Sequence, residues 1–288
     1  MATVITVMNM KGGVGKTTLT AHIAGMMALM EHAGKHRRIL AIDYDPQFNL
    51  SQMFLQSETY FELEKQRRTS LAILQDDETR VNPFAIQVPG NRTPPAVTDV
   101  CHTIYKKNHG GRLDLIPSTL DLMYLALGQS HARTDVFEER FQKFILAARS
   151  EYDVVLIDCH PAGSILTKTS LANSDHVLVP VVPSQFARRG VQLMRNFIDA
   201  SKQGPQKTPL HIVFNRAGAQ WSAEEEANIR TDPRHAAHCL VRALQKFKAY
   251  SDPRHGAGFV WYSGKPYSTT AFSRLNRLVA EITERLRL

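Results

Sequence analysis

The sequence predicts an α/β fold, a mostly parallel twisted sheet with helices on both faces. Three observations carry that prediction. Short apolar, β-branched runs alternate with longer helix-like runs along almost the whole chain, the alternation that builds a parallel sheet covered on both sides. A glycine-rich turn joins the first apolar run to the first helix-like run. Two later apolar runs end in aspartate, at the strand ends where open α/β sheets bind ligands. With 288 residues and 43% hydrophobic composition the chain can bury a large core, and a single domain over 1–288 is expected.

The elements follow in order. Thr3-Val4-Ile5-Thr6-Val7-Met8 reads as the first strand and Leu19 to Met30 as the first helix. Between them stands Met10-Lys11-Gly12-Gly13-Val14-Gly15-Lys16-Thr17-Thr18. Strand, glycine-rich turn and helix together are the setting of a phosphate-binding loop, the P-loop. Gly12, Gly13 and Gly15 let successive N–H groups turn toward one anion, so the backbone from Lys11 through Val14 to Thr18 makes a cradle. The helix starting at Lys16 adds its unsatisfied amides and the positive end of its dipole. Lys16 supplies a point charge for the β- and γ-phosphates, and Thr17 a hydroxyl for Mg²⁺.

Arg38 to Asp43 reads as a buried parallel strand running into Asp43-Tyr44-Asp45-Pro46-Gln47-Phe48-Asn49. Acids at alternate positions of a strand end face the same way, and beside a phosphate they hold Mg²⁺ or orient water. The stretch from about 56 to 111 is the least regular. It is expected to hold a short helix near Ser70–Gln75 and an exposed loop around 88–97. Leu113-Asp114-Leu115-Ile116-Pro117-Ser118 is a strand followed by a helix start, and Leu120 to Leu127 is mostly apolar. Asp135 to Arg149 is amphipathic, its phenylalanines spaced for the core. Tyr152 to Pro161 contains four apolar residues ending in Asp158, a Walker B element whose carboxylate reaches Mg²⁺. His176 to Ser184 is a strand leading into Arg188-Arg189 and a helix to Ala200. Leu210 to Phe214 is another strand, ending in Asn215-Arg216; an Asn there suits an adenine edge. A helix over about His235–Tyr250, a last strand at Phe259–Tyr262 and a final helix over Thr269–Leu288 complete the expectation.

Net charge is +8, and its placement says more than its size. Residues 230–288 hold eleven Lys/Arg against four Asp/Glu. That basic region points to an anionic partner, nucleic acid before membrane. Arg188, Arg189, Lys265, Arg274, Arg277 and Arg285 are the candidate contacts; Arg274 and Arg277 are three apart and share a helical face. No apolar run approaches the roughly 20 residues of a membrane span. The N-terminus leads straight into a strand, so no signal peptide is expected, and three widely spaced cysteines suit a reducing cytoplasm.

The loop's K-G-G-x-G-K-T-T form lacks the usual first glycine and carries a second lysine, Lys11. With D-x-D-P-Q-x-N at 43–49, the Walker B Asp158, P-x-x-P-x-x-F-A-x-x-G from Pro180 and S-x-G-K-P at 263–266 (read S-G-K-P here), it resembles the ParA/MinD family of deviant Walker A ATPases. Its ParA-type partition members are the nearest match. The likeness spans nearly the whole chain apart from about 56–111. It implies a P-loop NTPase architecture, ATP/ADP and Mg²⁺ as cofactors, and a homodimer closed on ATP in which Lys11 reaches the partner's phosphates. It further implies that Asp45 positions the attacking water, that Asp43 supports the magnesium shell beside Thr17 and Asp158, and that Asn215 and Arg216 lie at the adenine. His160 departs from the family's D-x-P-P. Implied partners are non-specific DNA and a ParB-like adaptor, with a nucleoid-associated cytoplasmic location and no membrane. A MinD-like membrane ATPase, or one positioning a non-DNA cargo, is the alternative. An iron-sulfur role like that of the nitrogenase iron protein lacks its second cysteine.

Overall fold

The computed structural model describes residues 1–32, 34–76, 91–108, 110–127, 134–159, 163–201, 208–217, 220–251 and 259–288. His160 and part of the expected 88–97 loop lie outside them. In chain order the strands are β1 Thr3–Val7, β2 Arg38–Tyr44, β3 His102–Lys106, β4 Arg112–Ile116, β5 Val154–Cys159, β6 His176–Val181 and β7 Leu210–Phe214. They form one sheet in the order β3-β4-β2-β5-β1-β6-β7, parallel throughout except for the antiparallel β3–β4 edge. The helices are α1 Lys16–Leu29, α2 Asn49–Phe54, α3 Ser57–Lys65, α4 Ser70–Leu74, α5 Val97–Val100, α6 Leu122–Leu127, α7 Thr134–Glu151, α8 Ile165–Ala172, α9 Ala187–Ser201, α10 Gln220–Thr231 and α11 Ser268–Arg285.

The central strands are apolar on both sides, yet they alternate. Val4, Leu40, Ile42, Val155 and Ile157 join one core with α4, α7, α8 and α9. Ile5, Val7, Ile39, Ala41 and Leu156 join a second core with α1, α2 and α11. A parallel sheet buried on both faces requires this. The alternation also aims Asp43 and Asp158 toward the α1 face.

Two expected elements did not form. Residues 235–250 are not a helix; only the 3₁₀ turns Ala236–His238 and Lys248–Ser251 occur there. Instead the chain runs along the open edge of β7. Leu240 N–H donates to Ile212 O at 2.9 Å, Leu244 N–H to Phe214 O at 2.9 Å, and Ala217 N–H to Leu244 O at 3.0 Å. An unpaired sheet edge supplies hydrogen-bond partners that outweigh local helix preference. Phe259–Tyr262 is likewise not a strand but the 3₁₀ turn Val260–Tyr262. Its Phe259 ring fills a notch in α1 at Gly25, where any Cβ would lie within 3.0 Å of the ring. Among the described residues, the 56–111 stretch is more regular than expected, with α3, α5 and β3 besides α4. Fully buried Arg140 of α7 ties it down, donating to Ile73 O at 3.1 Å, Ala72 O at 2.9 Å, Asn91 O at 3.1 Å and Thr93 O at 2.8 Å.

Candidate nucleotide site

The glycine-rich loop leaves β1 and enters α1 at Lys16. Gly13 and Gly15 hold φ of 71° and 86°, the left-handed region that side chains resist. Gly15 carries a second constraint, because a Cβ there would lie within 3.0 Å of Asn215 Nδ2. Asn215 is 7% exposed; its Nδ2 donates to Val14 O at 2.8 Å and its Oδ1 accepts from Arg216 N–H at 2.9 Å. It therefore braces the loop from the end of β7. Asn9 braces the other side, donating to Pro180 O at 2.8 Å and accepting from Lys11 N–H at 2.9 Å. Lys11 itself is exposed, its Nζ 3.4 Å from Ser184 Oγ on the segment after β6.

Two clefts meet at this loop. A cleft of about 540 Å³ is lined by Gly12, Gly13, Lys16, Thr17, Asp45 and Gln47, among others. A second, of about 330 Å³, is lined by His22, Asn215, Leu244, Phe247, Tyr250 and Lys265. Gly15, Thr18, Arg216 and Tyr250 belong to both. The first has the donors and charge for phosphates, the second the apolar and aromatic wall for a base and sugar. His22 of α1 fixes the second wall: its ring meets Tyr250 edge-on at 5.2 Å, and its Nε2 lies 3.2 Å from Tyr250 O.

Asp43 and Asp158 are register partners across β2 and β5. Asp43 is buried and its Oδ2 accepts from the N–H and the hydroxyl of Ser51, both at 2.7 Å. Burial, then the neighbouring Asp158 charge, pushes its carboxyl well above the usual range. It is placed as the anchor of α2. Asp45 sits further out, lining the phosphate cleft. Its Oδ1 accepts from Gln47 N–H at 3.0 Å, and its carbonyl accepts from Ser118 Oγ at 2.7 Å. Ser118 N–H in turn donates to Ser51 Oγ at 2.9 Å, so the Ile116-Pro117-Ser118 turn clamps the acidic loop. The first residue before α2 is Phe48, so Asp45 is not the cap of that helix.

Asp158 is 1% exposed. Thr20 Oγ1 lies 3.2 Å from its Oδ1, while its Oδ2 is buried with no hydrogen-bond partner among the described residues. Burial raises its pKa to about 7 against the opposing pull of the Thr17 hydroxyl and the Lys16 charge. An unpartnered buried carboxylate oxygen beside a threonine hydroxyl is an all-oxygen donor set that fits Mg²⁺. Cys159 beside it is buried, and burial pushes its thiol up to about 12, an inert structural thiol.

The six basic candidates separate. Arg274 and Arg277 lie together, exposed on α11. Arg188 and Arg189 are exposed at the start of α9, next to Phe186, which is 73% exposed. Lys265 is half-buried at the nucleoside cleft. Arg285 is engaged inside the molecule, donating to Cys239 O at 2.8 Å and to Ala237 O. Sequence reasoning missed Asn9, Ser51, His22 and Tyr250. Only their neighbours in space reveal them.

A family model described as an AAA domain (AAA_31) matches residues 2–212. The chromosome partitioning protein ParA of Myxococcus xanthus is 30% identical over 201 residues, covering 70% of this chain and 59% of that protein. The match thus spans a little over half of that relative. pNOB8 ParA bound to nonspecific DNA superposes with a TM-score of 0.64 at 19% identity, over 100% of this chain and 99% of that one. Cobyrinic acid a,c-diamide synthase of Mycobacterium smegmatis, with bound ADP and magnesium, superposes with a TM-score of 0.66 at 19% identity, over 100% and 96%. At such identities the structural likeness carries the fold alone.

Proposed function

Because this chain belongs to the ParA/MinD-type AAA-domain family, we propose that it is a Mg²⁺-dependent ATPase that closes as a homodimer on ATP, holds DNA without sequence preference and partitions a replicon with a ParB-like adaptor. The observation that carries the reading is the convergence of Lys16, Thr17 and Asp45 on one cleft beside the buried, unpartnered Asp158 Oδ2. Lys16 and the loop amides hold the phosphates. Thr17 and Asp158 would hold Mg²⁺, which when bound neutralises charge on the β- and γ-phosphates. Asp45 orients a water whose oxygen bonds the γ-phosphorus as the bond to the β–γ bridging oxygen breaks. Lys11, exposed and outside its own cleft lining, is available to a second subunit.

The choice of DNA over a membrane is supported by α11. Its apolar side, Ala271, Leu275, Leu278, Val279 and Ile282, is buried in the core and is not offered to lipid. No described helix is long and apolar enough to cross a membrane. The test is retention on random-sequence duplex DNA with ATP, ADP or no nucleotide across a salt series. Retention with ATP alone, falling steeply with salt, is expected. Equal retention in all three states refutes the nucleotide switch. Lys16→Gln should abolish ATP binding, and Asp45→Ala should bind ATP but not turn it over; a fluorescent ATP analogue and phosphate release read the two.

A further inference from the structure

A third cleft, about 300 Å³, lies on the far side of the segment that flanks β7. Arg242, Arg274 and Arg277 line it, and none of their three guanidiniums has an ion pair or hydrogen bond among the described residues. Its acid, Glu226 of α10, is already paired with Arg230 at 2.8 Å. The wall carrying Arg242 is held from both sides. Arg230 donates to Leu240 O at 2.7 Å and Val241 O at 3.1 Å. Glu281 of α11 accepts from Val241 N–H at 2.5 Å and Arg242 N–H at 2.7 Å. Residues 274, 277 and 281 follow one face of α11, so the acid that fixes the turn stands in line with the two arginines. Three unpaired guanidiniums on a pinned backbone form a preorganised anion seat.

The seat is joined to the nucleotide site. Gln245 lines both this cleft and the nucleoside cleft, and Lys246 and Lys248 continue the positive charge to the nucleoside mouth. Tyr250 closes the segment, bonding through its hydroxyl to Ala271 O of α11 at 2.6 Å and through its carbonyl to His22 of α1. We infer that the Arg242–Arg274–Arg277 cleft seats a backbone phosphate of duplex DNA, and that Glu281 is the positioning residue that builds it. Duplex DNA fits better than a free anion because the charge does not stop at the cleft but runs on as a band, as a polyanion requires. This rests on the DNA-holding reading above and names the surface that does the holding.

The test uses the full chain with ATP, Mg²⁺ and a labelled random-sequence duplex, titrated across a salt series. Arg242→Ala and Arg277→Ala should each lower affinity several-fold and reduce the slope of log affinity against log salt by about 1. Arg242→Lys, which keeps the charge, should recover most of that slope. Lys65→Ala, the same charge change at an exposed site on α3, should leave binding unaltered. Glu281→Ala gives an opposed sign: deleting an acid ought to strengthen DNA binding if only net charge matters, but here it should weaken it by releasing the turn. A wild-type slope in Arg242→Ala, an equal loss in Lys65→Ala, or tighter binding by Glu281→Ala overturns the seat. A wild-type chain that never retains DNA overturns the function proposed above instead.

Discussion

Gly15→Ala tests the most constrained contact of the site. Gly15 sits at φ 86°, where a side chain costs about 1–2 kcal/mol. The new Cβ would also displace the Asn215 amide, which lies within 3.0 Å of it. That breaks the 2.8 Å bond to Val14 O and leaves buried groups unpaired, a further cost of about 1–3 kcal/mol. The single variant should therefore lose about 2–5 kcal/mol in urea denaturation. Asn215→Ala should lose about 1–3 kcal/mol by the same bond. The double variant pays that bond only once, so it should be more stable than additivity predicts by about 1–3 kcal/mol. Binding of a fluorescent ATP analogue should fall in both single variants, because the loop amides no longer converge. Additivity within about 0.5 kcal/mol would refute the claim that Asn215 is the brace and Gly15 its clearance.

Other outcomes follow from buried polar groups. His22 is buried, and burial lowers its pKa from 6.5 to about 4. The unfolded chain thus takes the proton first, and stability is lost as pH falls from about 6.5 toward 4. His22→Gln should remove up to about 3 kcal/mol of that acid loss, seen as a flatter pH dependence of the unfolding midpoint; an unchanged profile refutes it. Arg140→Met should cost about 3–5 kcal/mol, since it strips donors from the Ile73, Ala72 and Thr93 carbonyls. A shift below about 1 kcal/mol in urea would show that those carbonyls find other partners. Asp158→Asn should leave the free protein as stable or more so, because it deletes a buried, partly unpaired carboxylate. It should also remove the Mg²⁺ dependence of nucleotide binding; retained dependence refutes the metal assignment.

The P-loop was legible because its physics is local. Glycines, a lysine and a threonine between a strand and a helix can serve a phosphate with nothing else in view, and the structure puts Lys16 at the first turn of α1 as that reading requires. The mostly parallel sheet and the burial of both its faces were equally open, since parallel strands must read as continuous apolar runs. Long-range pairing was not. Asp43 and Asp158 are 115 positions apart, and only the β2–β5 register makes them neighbours. Of the two, Asp43 is engaged by Ser51, while Asp158 keeps an oxygen with no hydrogen-bond partner among the described residues. Residues 235–250 were expected as a helix. The open edge of β7 drew them into an extended path, and that path made the arginine cleft. Composition alone fixed that the C-terminal fifth is basic. Which arginines face outward was decided by packing, which leaves Arg274 and Arg277 exposed on α11 and turns Arg285 inward onto Cys239 and Ala237, because a guanidinium goes where carbonyls lack partners.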